Sequence, residues 1–398
     1  WEAAPVGAIV LATVDGAILA AASVPLEPGS PPAEGSAAFD WLAITDGESL
    51  KATDRTLSRP KAQPPGSIVK PLLAAYALEN LGLDPSAYLA PCETRGDLSR
   101  PGTAPKREDW AGFGKVNCAR RWGHGGAVNL SEALRVSCNV YFAALGEWVF
   151  DPSSMSDAYR SFGFGAPTGV RFDDNGTRAG LVDSYRINPQ SPLGDGVPIE
   201  RVDEVVRQFL GNGLAHVDVN VIQVVRAYAG LATGVLPQMR LVRRVGDQPV
   251  HPAGDPLGIG SNHLATIHAS VARVVTEGFG RERGLLVDSL GFTLAAKTGS
   301  ADYRGGLVPP DGSPDAPLGL FKKGMRKHAW LAGWFPAEEP RFVITVYVHD
   351  TSATASHSAA YVARKFLLTD AVQKLMAEPV PSGQGSAVEA SAKRGRDR

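Results

Sequence analysis

The chain has 398 residues, 44% of them hydrophobic and 20% charged, so its composition supports a substantial core and argues against global disorder. A net charge of −1 argues against nucleic acid as the main partner. No run of about 18 apolar residues is present that would span a membrane. Trp1 leads almost directly into strand-like sequence without a signal-peptide pattern, so the start reads as that of a trimmed or processed chain.

In chain order, "VGAIVLATVDGAILAAAS" predicts a hairpin about Asp15-Gly16, a dipeptide that type I′ turns favour. Residues 24–38, rich in Pro, Gly, Ser and Ala, read as a loop. From Ser67 to about Gly82 the pattern is helical and apolar on nearly every face, which places this helix in the core. "CETRGDLSRPGTAPKREDWAGFGKVNC" is polar and irregular. "NLSEALRVSCNVYFAALGEWVF" returns to helix, capped by Asn129 or Ser131. "VDVNVIQVVRAYAGLATG" is a further apolar helix that Gly234 can stop. "GFTLAAKTGS", "HAWLAGWF" and "RFVITVYVHD" predict three strands, and "HSAAYVARKFLLTDAVQKLM" an amphipathic helix.

The pattern is therefore α/β, of the α+β type. A mainly antiparallel five-stranded sheet is expected from residues 1–66 and 285–378, flanked by helices. A large all-helical insertion over about 67–284 separates its two halves, and residues 379–398 form a polar tail expected to be disordered.

Chemistry enters with "PPGSIVKP". Residues three apart on a helix share a face, so Lys70 can reach the Ser67 hydroxyl. A serine needs a base beside it to be a nucleophile. A lysine drawn into an apolar site has its pKa lowered and can serve as that base. The spacing alone is weak, since Ser-x-x-Lys occurs about once by chance in a chain this size, and Ser58 to Lys61 repeats it beside Pro60.

Two further motifs strengthen it. Ser137-Cys138-Asn139 lies where one helical stretch yields to another: Ser137 can relay a proton and Asn139 can hold a carbonyl. Lys297-Thr298-Gly299-Ser300 ends a strand candidate. Lys297 offers a cation for a carboxylate, Thr298 a hydroxyl donor, and Gly299 a place for a substrate backbone to approach closely.

The three motifs in this order resemble the penicillin-binding transpeptidase and serine β-lactamase superfamily. The resemblance covers roughly residues 6–376. "DRTLSRPKAQPPGSIVKP", "YRSFGFGAPTGV" and "LGNGLAHVDVNVIQVVRAYAGLATG", with Asn212 where Gln is more usual, lie closer to the transpeptidases than to the β-lactamases. It implies that Ser67 is acylated with Lys70 as base, Ser137 passes the proton to the leaving amine, and Asn139 holds the substrate amide. Lys297 and Thr298 would hold the terminal carboxylate of a D-alanyl-D-alanine stem peptide. The N–H groups of Ser67 and Ser300 would form the oxyanion hole.

By that resemblance the expected activity is D,D-transpeptidation of peptidoglycan at the extracytoplasmic face of the cell envelope, trapped by β-lactams. A D,D-carboxypeptidase, a β-lactamase or a non-turning sensor are the rivals. Cell-wall synthesis proteins are candidate partners, and a membrane anchor or further module is expected outside this chain. The connection from Ala301 to His328 is expected to overhang the cleft.

Cys92 and Cys118 bracket the polar loop, and a bridge between them is weighed evenly against two free thiols. A zinc site with His124 is the alternative on residue type. No fourth ligand is obvious, so no metal and no cofactor is expected.

Overall fold

The computed structural model of the protein describes residues 6–23, 40–41, 64–93, 112–113, 116–118, 123–166, 168–173, 179–181, 204–214, 217, 219–245, 248–282, 284–285, 287–302, 327–351 and 358–378. The Ala301–His328 connection (apart from its ends), the loop 24–38 and the tail beyond 378 lie outside them, as does the Ser58–Lys61 pair.

The first two strands, β1 (Val6–Thr13) and β2 (Ile18–Ser23), form the predicted hairpin, and a two-residue strand β3 (Asp40–Trp41) extends its edge. Late in the chain come β4 (Ala295–Asp302), β5 (Lys327–Phe335) and β6 (Phe342–Thr351). The order across the sheet is β4-β5-β6-β1-β2-β3. β1 pairs antiparallel with β6, Val10 opposite Thr345, so both ends of the chain build one sheet. The turn is longer than the expected two-residue one. Thr13 N–H bonds to Ala17 C=O, and Gly16 takes a φ of 93°, as in three-residue loops that end in a left-handed residue.

Alternation along the strands buries both faces. Val10, Ala12, Trp330, Ala332 and Trp334 point into one core with the helical region; Ile9, Leu11, Leu331, Phe335 and Ile344 point into the other. That second core is closed by two helices, Ala359–Leu367 and Asp370–Ala377. A single helix was the expectation; the chain breaks at Leu368, where Thr369 N–H and Oγ1 both turn back to the Phe366 carbonyl.

The region between the strands is mainly helical, and it also carries five two-stranded ribbons among the described residues, so it is not the all-helical insertion expected. Ribbons of two to five residues are too short to show a period of two in the sequence. The helix Val221–Thr233 lies against the sheet through its buried side chains. Asn220 and Gln223 form a capping box at its start, and Gly234, with φ 78°, ends it.

Candidate active site

Ser67 lies in a 3₁₀ turn, Gly66–Val69, that runs straight into the helix Lys70–Asn80. Residues three apart eclipse in such a turn, which keeps Ser67 and Lys70 on one side. Three contacts from distant elements fix it: Tyr228 Oη donates to Ile68 C=O (2.7 Å), Trp330 Nε1 donates to Pro64 C=O (3.1 Å), and Gly66 N–H donates to Gly213 C=O (2.8 Å). Sequence reasoning missed all three partners, because nothing local to Tyr228, Trp330 or Gly213 marks a contact with so distant a segment.

Glycine lets this turn press against strand β4. A Cβ on Gly66, whose φ is +60°, would sit 2.5 Å from Ser300 C=O, and one on Gly299 would sit 2.8 Å from Pro65 C=O. Gly299 is thus needed for the approach of the turn that carries Ser67 to strand β4. The contact brings the backbone of Ser67 alongside that of Ser300.

The second motif is built by a break between helices. Leu130–Arg135, capped by Asn129, ends as Cys138 N–H bonds to Ala133 C=O; Asn139–Ala144 then begins, capped by the Cys138 sulfur. Between them Ser137 holds a φ of 53°, the one positive value for a non-glycine residue among the described residues. Such strain persists where surrounding structure imposes it, and it gathers at functional sites.

Lys70 and Lys297 are both fully buried and meet at Ser137. Lys297 Nζ donates to Ser137 Oγ at 2.8 Å and to Thr298 C=O at 3.0 Å. Lys70 Nζ donates to Asn139 Oδ1 (2.7 Å) and Ser137 C=O (3.0 Å), and it approaches Ser137 Oγ at 3.4 Å. Among the described residues no hydrogen bond joins Lys70 Nζ to the Ser67 hydroxyl; the lysine is held on the second motif. Asn212 adds a brace that the sequence did not reveal, donating to Asn139 C=O at 3.1 Å and Gln208 C=O at 3.0 Å.

Of the two readings weighed for Cys92 and Cys118, the structure has the free thiols. Both are free thiols with sulfurs 3.2 Å apart, and Cys138 brings a third sulfur to 3.5 Å from that of Cys118. Two sulfurs competing for Cys118 leave neither as a dedicated partner.

The transpeptidase domain of penicillin-binding proteins, as a family model, matches residues 6–368. The chain belongs to that family. It is 24% identical over 370 residues to the peptidoglycan D,D-transpeptidase MrdA of Haemophilus influenzae, covering 90% of this chain and 52% of that protein. The chain thus spans about half the length of the curated relative it matches.

The fold matches the transpeptidase domain of Burkholderia pseudomallei penicillin-binding protein 3 with a TM-score of 0.60 at 16% identity, over 93% of this chain and 88% of that one. It matches Helicobacter pylori PBP2, solved in complex with MreC, with a TM-score of 0.61 at 20% identity, over 94% of this chain and 60% of that one.

For a penicillin-binding protein site of this geometry, the charge on Lys70 decides what it can do. Burial lowers its pKa from 10.5 to about 8. The amine accepts a proton only when neutral. Acylation by a penicillin is therefore expected to rise with pH and level off above about 8, falling towards ~10-fold per unit below it. A rate profile from pH 6 to 10 checks this; a flat profile would show that Lys70 is not the titrating base.

Proposed function

We propose that this chain is a serine acyl-transferase that cross-links peptidoglycan stem peptides as a D,D-transpeptidase. Ser67 attacks the carbonyl of the D-alanyl-D-alanine bond and Lys70 takes its proton. Ser137 hands a proton to the departing D-alanine amine, while Asn139 holds the substrate amide. Lys297 and Thr298 receive the terminal carboxylate, and the N–H groups of Ser67 and Ser300 receive the oxyanion. The amine of a second stem peptide then attacks the ester and regenerates Ser67.

The observation that carries this reading is the Ser137 hydroxyl set between two buried lysines, at 2.8 Å from Lys297 and 3.4 Å from Lys70. A hydroxyl so placed can accept from one amine and donate to the other once that one is neutral, which is what a proton relay requires.

The proposed place of action is the extracytoplasmic face of the cell envelope, where peptidoglycan lies. Among the described residues no helix is long and apolar enough to cross a membrane. Since the relative from Helicobacter pylori is solved with MreC, a cell-wall synthesis protein is the partner class proposed here.

The test offers an acyl-D-alanyl-D-alanine donor together with a D-amino-acid acceptor. Transfer outpacing hydrolysis is expected. Hydrolysis alone would make the protein a D,D-carboxypeptidase, and no turnover of any donor would make it a sensor. Lys297→Ala is expected to weaken acylation by free-acid β-lactams and much less by their methyl esters, which lack the charge the lysine meets. Comparison of the second-order acylation constants checks this, and equal losses would assign Lys297 to proton transfer alone.

A further inference from the structure

The chain has three cysteines in 398 residues, and all three come to one place. Cys92 lies in the strand Pro91–Glu93, opposite Gly126 of the strand Gly123–Ala127, which also carries His124. Cys118 follows the strand Val116–Asn117, and Cys138 caps the helix Asn139–Ala144. The ligand atoms of these four residues all lie within 4.8 Å of one another. The three thiols are buried, and the buried Nε2 of His124 has no hydrogen-bond partner of ordinary geometry.

We propose that Cys92, Cys118, His124 and Cys138 bind one zinc ion, and that this ion braces the Ser137-Cys138-Asn139 motif. A disulfide between any two of the cysteines would leave a third thiol and an imidazole nitrogen buried and unused; a metal engages all four. Three soft sulfurs and one imidazole, with four ligands in all, make up a closed tetrahedral set typical of structural zinc and poorly suited to calcium or magnesium. With Zn–S near 2.3 Å, the edge of such a tetrahedron is about 3.8 Å. The sulfurs stand 3.2 and 3.5 Å apart, so a few tenths of an ångström of spreading admits the ion. Two backbone donors already face sulfur, as they do around bound thiolates: Asn139 N–H to Cys118 Sγ (3.2 Å) and Tyr141 N–H to Cys138 Sγ (3.4 Å). Uptake of Zn²⁺ converts three thiols to thiolates and releases three protons to solvent.

The placement gives the ion a role. Cys138 sits between Ser137, held in a left-handed conformation, and Asn139, which receives the Lys70 amine. Fixing Cys138 to a metal fixes both neighbours. The metal site stands independently of the proposed transpeptidation; the bracing role rests on it.

Reduced protein purified without chelator is expected to carry close to one zinc per chain by elemental mass spectrometry. Cobalt(II) added to the stripped protein should give the thiolate charge-transfer and intense visible bands of a tetrahedral site. Cys92→Ser and His124→Ala should each weaken metal affinity by at least ~10-fold, and stripping zinc should slow penicillin acylation by a similar factor. Because a variant can fail to fold, the cobalt titration of the unaltered chain is the deciding measurement. Stripped, reduced protein that binds neither zinc nor cobalt, or native protein isolated with Cys92 and Cys118 bridged, would overturn the site. A bound zinc whose removal leaves acylation unchanged would overturn the bracing.

Discussion

Lys70→Ala is expected to slow penicillin acylation of the protein by ~10²–10⁴, the usual worth of a positioned base, while Ser67→Ala removes it altogether. The lysine has no surface role to confuse the result: it is fully buried, and its amine spends its hydrogen bonds on Ser137 and Asn139. Removing it takes away the proposed base and one donor to Asn139 Oδ1, so some stability should go as well, by about 1–3 kcal/mol. Stopped-flow acylation and a thermal melt on the same sample separate the two. A Lys70→Ala protein that acylates at the parental rate would remove Lys70 from the mechanism.

Gly66→Ala should be nearly as severe, for a different reason. The residue holds a φ of +60° and would place its new Cβ 2.5 Å from Ser300 C=O, so the nucleophile turn must lift off strand β4. Any oxyanion hole shared between Ser67 and Ser300 then opens, and loss of one such donor is worth ~10²–10³ in rate. Gly82→Ala is the control. Gly82 has a φ of +64° with nothing within 4 Å of the new Cβ, so it carries the same backbone penalty without the clash. Gly82→Ala should lose about 1 kcal/mol of stability and keep its acylation rate. Equal loss of acylation in the two variants would mean that backbone strain, not turn-to-strand contact, governs the site.

Much of this site can be read in the sequence because its motifs are local. Ser67 and Lys70 are separated by a single turn, and the near-continuous apolar runs in "HAWLAGWF" and "RFVITVYVHD" report directly on a sheet buried on both faces. What the sequence hides is contact between distant segments. Nothing near Gly299 says that Pro65 will press on it, and nothing near Tyr228 says that its hydroxyl will reach Ile68 C=O.

The four potential metal ligands are hidden for the same reason. Cys92 and Cys138 stand apart in the chain, and Cys138 looks like a spacer inside a catalytic motif. The helix Ser261–Thr276 is a different case. Its buried Ile267, Val271 and Val274 follow helical spacing, yet its polar opening Ser-Asn-His and its Gly260 cap, which makes no side-chain bond, give no start signal.

The central claim is that Ser67 forms a slowly hydrolysed acyl-enzyme. Time-resolved intact-mass spectrometry with a good penicillin, followed by peptide mapping, tests it most directly. The predicted result is one adduct per chain, on Ser67, lasting many minutes to hours at neutral pH and missing from Ser67→Ala. An adduct that maps to another residue, or turnover on the order of 10 per second with no acyl-enzyme accumulating, would contradict it.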